Sequence, residues 1–379
     1  MARGNWLCTS TRVGALAVGL CTSCIFRPQL SFLCFSSFWT QDQSPLKGDL
    51  ANRNVKETHV SVRELLVCCI RAAQMAGATI REEHARAAGI KAYVKTVKAG
   101  SRELSAGELD AAGASEVVTR ADFRAQLIIM KCLKSRYPQA VVIAEEDEND
   151  AQNEAEGLDC ASFSCEDIDV GLDIPAGLSR CSWEDLTVWV DPLDGTKEFA
   201  RGKLESVTVL IGISFKHVPV AGVIHQPFRQ SLSGDMQSCT TWGIVGAGVR
   251  STRLGELKPA QAHGKLVAVL SESKKDSEVV LRTLQRLPAG LEILRAGGCG
   301  NKLVQVIEQE ADFMLQAPGS QRWDSAAGEA ILRALGGGLC SLNGEVYQYV
   351  RDSSHRNDGG LLAFRNSSLK GYAMPKVST

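Results

Sequence analysis

Apolar residues recur three and four apart from Val62 through Leu65, Leu66, Cys69, Ala73 and Ala76 to Ile80, the spacing of one helix face. They predict a long amphipathic opening helix over about residues 60–84. A second helix is expected from Thr119, an N-cap residue by type, to the stop at Pro138. Between the two, residues 97–116 mix Gly, Ala, Ser and Glu without a period and read as a loop. Short continuous apolar runs at 140–144, 186–190, 207–214 and 218–224 have the length and bounding turn residues of buried strands. The acidic stretch 148–182, poor in large apolar residues, reads as a surface insertion. The glycines Gly243, Gly246 and Gly248 suggest a hairpin.

After residue 262 strand and helix patterns alternate: strand 265–270, helix 277–287, strand 291–296, helix 301–309, strand 311–316 and helix 325–335. Such alternation implies an α/β unit following an α+β first half. The expected organisation is a leader over residues 1–58, targeting or disordered, an α+β metal-binding domain over 59–240, and an α/β domain over 241–379 that completes the site.

Charge narrows the partners. Lys plus Arg number 42 against 43 Asp plus Glu, so no chain-wide field attracts a nucleic acid polymer or an anionic membrane. A small-molecule partner is expected instead. The 13 cysteines include a single CxxC, Cys21 and Cys24, with no second pair or nearby histidines, so neither a zinc site nor a disulfide framework is indicated. Free thiols are the plain reading, with Cys165 and Cys181 the candidate redox pair.

The first 41 residues hold no acid and carry Arg3, Arg12 and Arg27, a composition that suits an organellar transit peptide. Residues 13–26 are apolar but fall short of the roughly 20 needed to span a bilayer. The expected location is a mitochondrion or other organelle if this leader is a transit peptide and the cytoplasm otherwise, with membrane contact only if it is an anchor.

The candidate chemistry is acidic. Asp191 and Asp194 end a buried strand within Val188-Trp189-Val190-Asp191-Pro192-Leu193-Asp194-Gly195-Thr196, and carboxylates so crowded repel each other unless a cation lies between them. Asp122, Glu145 and Asp324 likewise sit where an apolar run ends or a helix begins. Taken singly, Asp122 and Asp324 also suit a cap or a solvated turn. Hard cations such as Mg²⁺ favour oxygen ligands of this kind. The Gly297-Gly298-Cys299-Gly300-Asn301-Lys302 turn opens a helix after a strand, where backbone N–H groups and Lys302 favour an anion. It is equally an ordinary tight strand-to-helix turn, with the spacing of neither a Walker A loop nor a GxGxxG fingerprint.

Glu145-Glu146-Asp147, then Asp191-Pro192-Leu193-Asp194-Gly195-Thr196, then Trp323-Asp324-Ser325-Ala326-Ala327-Gly328 resemble the three-part signature of the inositol monophosphatase superfamily over about residues 60–375. These are Mg²⁺-dependent, lithium-sensitive phosphomonoesterases, and the resemblance implies their layered αβαβα sandwich. Lys197-Glu198 and the long interval from Glu145 to Asp191 are similar to the branch that hydrolyses 3′(2′),5′-bisphosphate nucleotides. That branch implies removal of the 3′-phosphate of adenosine 3′,5′-bisphosphate, and of its 5′-phosphosulfate analogue, with two or three Mg²⁺ ions. By the resemblance, Glu145, Asp191 and the Leu193 carbonyl hold one ion, and Asp191, Asp194 and Asp324 a second. Any third leans on Glu145 through waters, while Glu146 and Asp147 lie behind it or in solvent.

Asp122 and Thr196 would orient and deprotonate the attacking water, and Gly298 and Lys302 would contact the nucleotide part of the substrate. Where the branch usually carries Thr-Arg-Ser-His, this chain has Val269-Leu270-Ser271-Glu272-Ser273, which leaves Ser271 and Ser273 as hydrogen-bond donors and puts an acid beside an anionic substrate. Two other readings stand beside this one: an inositol polyphosphate 1-phosphatase, and a catalytically silent nucleotide sensor. The complete acidic set weighs against the sensor.

Overall fold

The apolar stripe of the opening helix buries as its spacing predicts. The helix runs Val62–Arg86, and Leu65, Leu66, Cys69, Ala73, Ala76 and Ile80 are all withdrawn from solvent. Burying each large aliphatic side chain contributes about 1.5–3 kcal/mol before chain entropy is counted. This computed structural model describes residues 58–86, 92–94, 117–147, 163–230, 236–259, 264–272 and 276–373. The leader up to residue 57, the 97–116 loop and Ser273 lie outside the described residues. Among the described residues no helix is long and apolar enough to cross a membrane.

The opening helix packs beside the Arg120–Arg136 helix, and both cover one face of a seven-stranded sheet. In spatial order the strands are Gly255–Leu257, Gly248–Ser251, Met236–Ile244, Val218–Gln230, Thr208–Phe215, Leu186–Asp194 and Val142–Ala144. Every neighbouring pair is antiparallel except the last, which is parallel. Met236–Ile244 and Gly248–Ser251 make the hairpin expected around Gly243–Gly248, with Gly248 opposite Ile244.

The sheet's other face receives the Arg322–Ala334 helix at backbone distance. A Cβ on Gly212 would lie 2.4 Å from the Ala326 Cβ, and one on Gly222 would lie 2.4 Å from the Ala327 carbonyl oxygen. Beside this helix runs Cys299–Ile307, and beyond both lies a second sheet of five strands, ordered Glu292–Ala296, Val267–Ser271, Phe313–Gln316, Leu361–Phe364 and Gly338–Cys340. Alternate residues of its strands divide between two cores. Val269, Met314 and Ala363 pack with the Cys299–Ile307 and Arg322–Ala334 helices, whereas Ala268, Leu270, Phe313 and Leu315 pack with Val280 and Leu287 at the Glu278–Arg286 helix. Helix, sheet, helix, sheet and helix follow one another, the αβαβα sandwich the motifs implied.

One expectation needs correction. The described part of the 148–182 stretch is not merely surface: Val170, Leu172, Leu178 and Cys181 are buried in the first core. Trp242 Nε1 donates to the Val170 carbonyl at 3.0 Å and Arg250 Nε to the Gly171 carbonyl at 3.1 Å. Few but well-placed apolar residues suffice to seat a chain whose backbone oxygens are taken by neighbours.

Candidate active site

Parallel pairing sets the first two acids side by side. Ala144 stands opposite Val190, and the Glu145 N–H donates to the Val190 carbonyl at 3.1 Å, so Glu145 and Asp191 leave the sheet as neighbours. Asp324 arrives from the first turn of the Arg322–Ala334 helix. Carboxylate oxygens of Glu145, Asp191 and Asp324 all lie within 4.8 Å of one another, and among the described residues they are the one such group of three potential metal ligands. Asp191 is 2% exposed, and its pKa is pushed well above the carboxylate range, first by loss of hydration and then by the charges of Glu145, Asp194, Asp324 and Asp122. The Leu193 N–H donates to Asp191 Oδ1 at 3.0 Å. Three carboxylate oxygens gathered this closely, from Glu145, Asp191 and Asp324, are a fit for a hard divalent cation.

A bulge brings Asp194 to the same side. Asp191 pairs with Leu210 and Asp194 with Thr208, three steps on one strand against two on the other. Residues three apart in a regular strand point to opposite faces, and the extra residue restores a common one. The strand expected over 186–190 is therefore longer. The strand continues through Asp194, and the chain bends at Gly195, whose φ of 85° is costly for other residues.

Asp194 stands outside the group of three. Its Oδ1 accepts from the Cys299 N–H at 3.0 Å, and its Oδ2 accepts from the Gly300 N–H at 2.7 Å and the Thr208 hydroxyl at 2.9 Å. Burial raises its pKa, opposed by the Cys299 N–H, the Lys302 charge, the Gly300 N–H and Thr208. The anion held by the N-terminus of the Cys299–Ile307 helix is thus a side chain of this protein. Gly298 caps that helix with a φ of 71°, and the buried Lys302 ammonium donates to the Gly298 carbonyl at 2.8 Å.

Asp122 and Asp324 repeat one device. Each is the third residue of its helix, and its carboxylate reaches back to the capping residue: Asp122 Oδ2 accepts from the Thr119 N–H at 2.8 Å, and Asp324 Oδ2 from the Gln321 N–H at 2.8 Å. Thr119 is the N-cap expected from its type. The other oxygen of Asp122 accepts from the Thr196 hydroxyl at 2.8 Å, and that hydroxyl lies 3.0 Å from the Leu193 carbonyl. Each of these carboxylates therefore caps its helix with one oxygen while Asp122 also meets Thr196 and Asp324 also joins the group of three.

A model of the inositol monophosphatase family matches residues 61–374. The chain belongs to the inositol monophosphatase family. It is 36% identical over 295 residues to human 3′(2′),5′-bisphosphate nucleotidase 1, covering 75% of this chain and 93% of the relative. It is 30% identical over 331 residues to putative inositol monophosphatase 3 of Drosophila melanogaster, covering 87% of this chain and 84% of that one. Among solved structures, the extragenic suppressor protein suhB of Bartonella henselae superposes with a TM-score of 0.56 at 18% identity, covering 83% of this chain and all of that one, a likeness of fold.

In this inositol monophosphatase family member the residues singled out on the substrate side are spread around strand ends. Ser271 closes the Val267–Ser271 strand, and its carbonyl accepts from Arg295 Nη1 at 3.1 Å. Arg295 also forks onto both carboxylate oxygens of Asp276 at 2.7 Å. Glu272 meets Lys203 Nζ at 2.5 Å, so the acid that departs from the nucleotidase pattern has a cation beside it. Glu198 lies where a side chain on Gly297 would fall, 2.6 Å from that Cβ position. The Gln126 amide holds both backbone groups of Glu146, at 2.6 and 2.9 Å, while Asp147 is exposed.

Sequence reasoning missed Thr208 and Lys203, and it missed that Asp194 is the anion the Cys299 and Gly300 amides hold. For Thr208 a signal existed, a polar residue opening an otherwise apolar strand. For the pairing of Asp194 with the amides there was none, since it joins residues more than a hundred positions apart.

Proposed function

We propose that this chain is a Mg²⁺-dependent phosphomonoesterase that removes the 3′-phosphate of adenosine 3′,5′-bisphosphate, giving AMP and phosphate, and that it also takes the 5′-phosphosulfate analogue. The observation that carries the reading is the Glu145, Asp191 and Asp324 oxygens within 4.8 Å of one another. The choice of substrate is supported by the relative named 3′(2′),5′-bisphosphate nucleotidase 1 and by Lys197-Glu198 following the Asp191–Thr196 motif.

In this reading Glu145, Asp191 and the Leu193 carbonyl hold one Mg²⁺, Asp191, Asp194 and Asp324 hold another, and Glu145 supports any third through waters. Bound Mg²⁺ supplies Lewis acidity, acidifying water and offsetting charge on the phosphoryl oxygens. The Thr196 hydroxyl, already donating to Asp122, accepts a hydrogen bond from the attacking water and orients it. A proton then passes from that water to Thr196 Oγ1 as the Thr196 proton moves to Asp122 Oδ1. Asp194, fixed by two helix amides and Thr208, keeps its carboxylate in one orientation. Gly298 and Lys302 bound the nucleotide's side of the site, and Ser271 and Ser273 donate to the substrate.

Phosphate release from adenosine 3′,5′-bisphosphate and from inositol 1,4-bisphosphate, measured with the full chain across a Mg²⁺ series, tests the proposal. Faster turnover of the nucleotide supports it. A second reading, an inositol phosphate phosphatase, rests on the acid Glu272 in place of the branch's basic residues and on the relative named putative inositol monophosphatase 3. Equal or faster turnover of the inositol compound favours that reading, and nucleotide binding without turnover favours a sensor.

A further inference from the structure

The loop after Tyr349 closes over the N-terminus of the helix that carries Asp324, and one polar residue of that loop is withdrawn from solvent. Arg356 and Asp358 are exposed, whereas Asn357 between them is 0% exposed. A carboxamide is costly to bury unless its donors and its acceptor are engaged. The side chain and the N–H of Asn357 all turn to residues 320–325. Nδ2 donates to the Gln321 carbonyl at 2.6 Å and to the Ser320 hydroxyl at 3.0 Å, and lies 3.4 Å from the Ser325 hydroxyl, while Oδ1 accepts from Arg322 Nη1. The Asn357 N–H donates to the Ser320 carbonyl at 2.9 Å.

That last bond leads on to the acidic group. The Ser320 carbonyl and the Gln321 N–H belong to one planar peptide, and the Gln321 N–H donates to Asp324 Oδ2 at 2.8 Å. Asn357 therefore holds Gln321 from both sides. Its N–H fixes the peptide that grips the Asp324 carboxylate, and its side chain fixes the next peptide along. Hydrogen bonds joined in series polarise one another, so the bond to the carboxylate gains from the one behind it.

The helix that begins beside Thr119 shows what this loop replaces. Thr119, whose N–H holds Asp122 in the same way, lies in a strand and pairs with Ala92. Gln321 lies outside the two large sheets and bridges Arg356 instead, with the Arg322 N–H donating to the His355 carbonyl at 2.7 Å. Residues 355–357 thus do for the Asp324 turn what a neighbouring strand does for the Asp122 turn.

We propose that Asn357 is a positioning residue for the metal site: by fixing the two peptides that flank Gln321 it aims the Asp324 carboxylate, and so sets the affinity for Mg²⁺ from one peptide away. The inference rests on the reading of Asp324 as a Mg²⁺ ligand. Groups that orient a metal's ligands typically cost about 10–100-fold in metal affinity or activity when removed.

Calorimetric titration of MgCl₂ into the metal-stripped full chain, with urea unfolding in EDTA alongside, tests this. Asn357→Ala should weaken Mg²⁺ binding about 10-fold or more, while KM for adenosine 3′,5′-bisphosphate at saturating Mg²⁺ stays at the wild-type value. Asn357→Asp keeps the size of the side chain and its contact with Arg322 but has no N–H₂ to offer the Gln321 carbonyl. Its added negative charge would by itself tighten Mg²⁺ binding, so weaker binding in this variant isolates the lost donation. Folded variants that bind Mg²⁺ as the wild type does, or more tightly, overturn the proposal whatever their stability or KM. A wild-type chain that takes up no Mg²⁺ overturns the reading of the acidic group itself, and the role of Asn357 with it. Asn357→Asp decides alone if Asn357→Ala does not fold.

Discussion

Thr196 Oγ1 donates to Asp122 Oδ1 at 2.8 Å, joining the first turns of two helices that are 74 residues apart in the chain. Because Asp122 Oδ2 is engaged by Thr119, each carboxylate oxygen has its own task. Asp122→Asn should lower kcat by about 10²-fold or more, the contribution expected of a general base, and should leave the Mg²⁺ midpoint within a factor of about three. The altered cap should cost about 1 kcal/mol in stability. Initial rates of phosphate release across a Mg²⁺ titration measure both effects, and a wild-type rate would remove Asp122 from the chemistry.

The crowded acids should make the protein depend on Mg²⁺ for stability as well as activity. Asp191 has a raised pKa because it is desolvated and faces Glu145, Asp194 and Asp324. Without an ion, the folded state holds that proton more tightly than the unfolded chain, so its contribution to stability is present at low pH and lost as pH rises through the folded value. Mg²⁺ requires the ionised form and should raise Tm more at pH 8 than at pH 5. Saturation at about 100 times Kd corresponds to about 2.7 kcal/mol. Thermal unfolding with Mg²⁺ or EDTA at the two pH values checks this, and Asp191→Asn should abolish the Mg²⁺ effect.

Glu329 offers a second pH dependence away from the acidic group. Burial pushes its pKa up to about 7, against the Tyr349 hydroxyl, which donates to it at 2.8 Å, and Arg333 at 3.6 Å. A carboxyl raised on folding stabilises the native state below its unfolded pKa, and that contribution is lost as pH climbs from about 4.5 to about 7. A shift of that size corresponds to about 3 kcal/mol. Glu329→Gln should flatten the fall in urea midpoint between pH 5 and 8, and an unchanged slope would show that Glu329 does not cause it.

Gly77 is the contact point between the opening helix and the sheet. A Cβ there would lie 2.2 Å from Nε2 of the buried His225 ring, whose Nδ1 is held by Thr240 at 2.9 Å. Gly77→Ala must displace the ring and should cost about 1–3 kcal/mol as overpacking. Combined with His225→Ala the two losses should be clearly non-additive, since the ring is the atom group both changes touch. Urea unfolding of the single and double variants measures the coupling.

Periodicity located the Val62–Arg86 helix, the strand and helix alternation after residue 262, and the Gly243–Gly248 hairpin, because each depends on local spacing. The closeness of Glu145 and Asp191 followed once the motifs were read together, since both end buried strands. Partners chosen by tertiary packing were not legible. The Cys299 and Gly300 amides looked ready for an outside anion, yet Asp194 occupies them from another strand. The seating of Val170 and Leu172 was equally hidden, because a sparse apolar pattern has no period to announce its neighbours. Glu272 read as a liability until Lys203, 69 residues earlier, came into view.

The bulge between Asp191 and Asp194 turns the site's geometry into a matter of residue count. Pro192 and Leu193 can vary in side chain while the two acids keep their common face, but losing either position would remove the bulge, setting two steps against two and straightening the strand just where Asp194 now meets the amides that hold it. The short tract is thus a ruler whose length matters more than its letters.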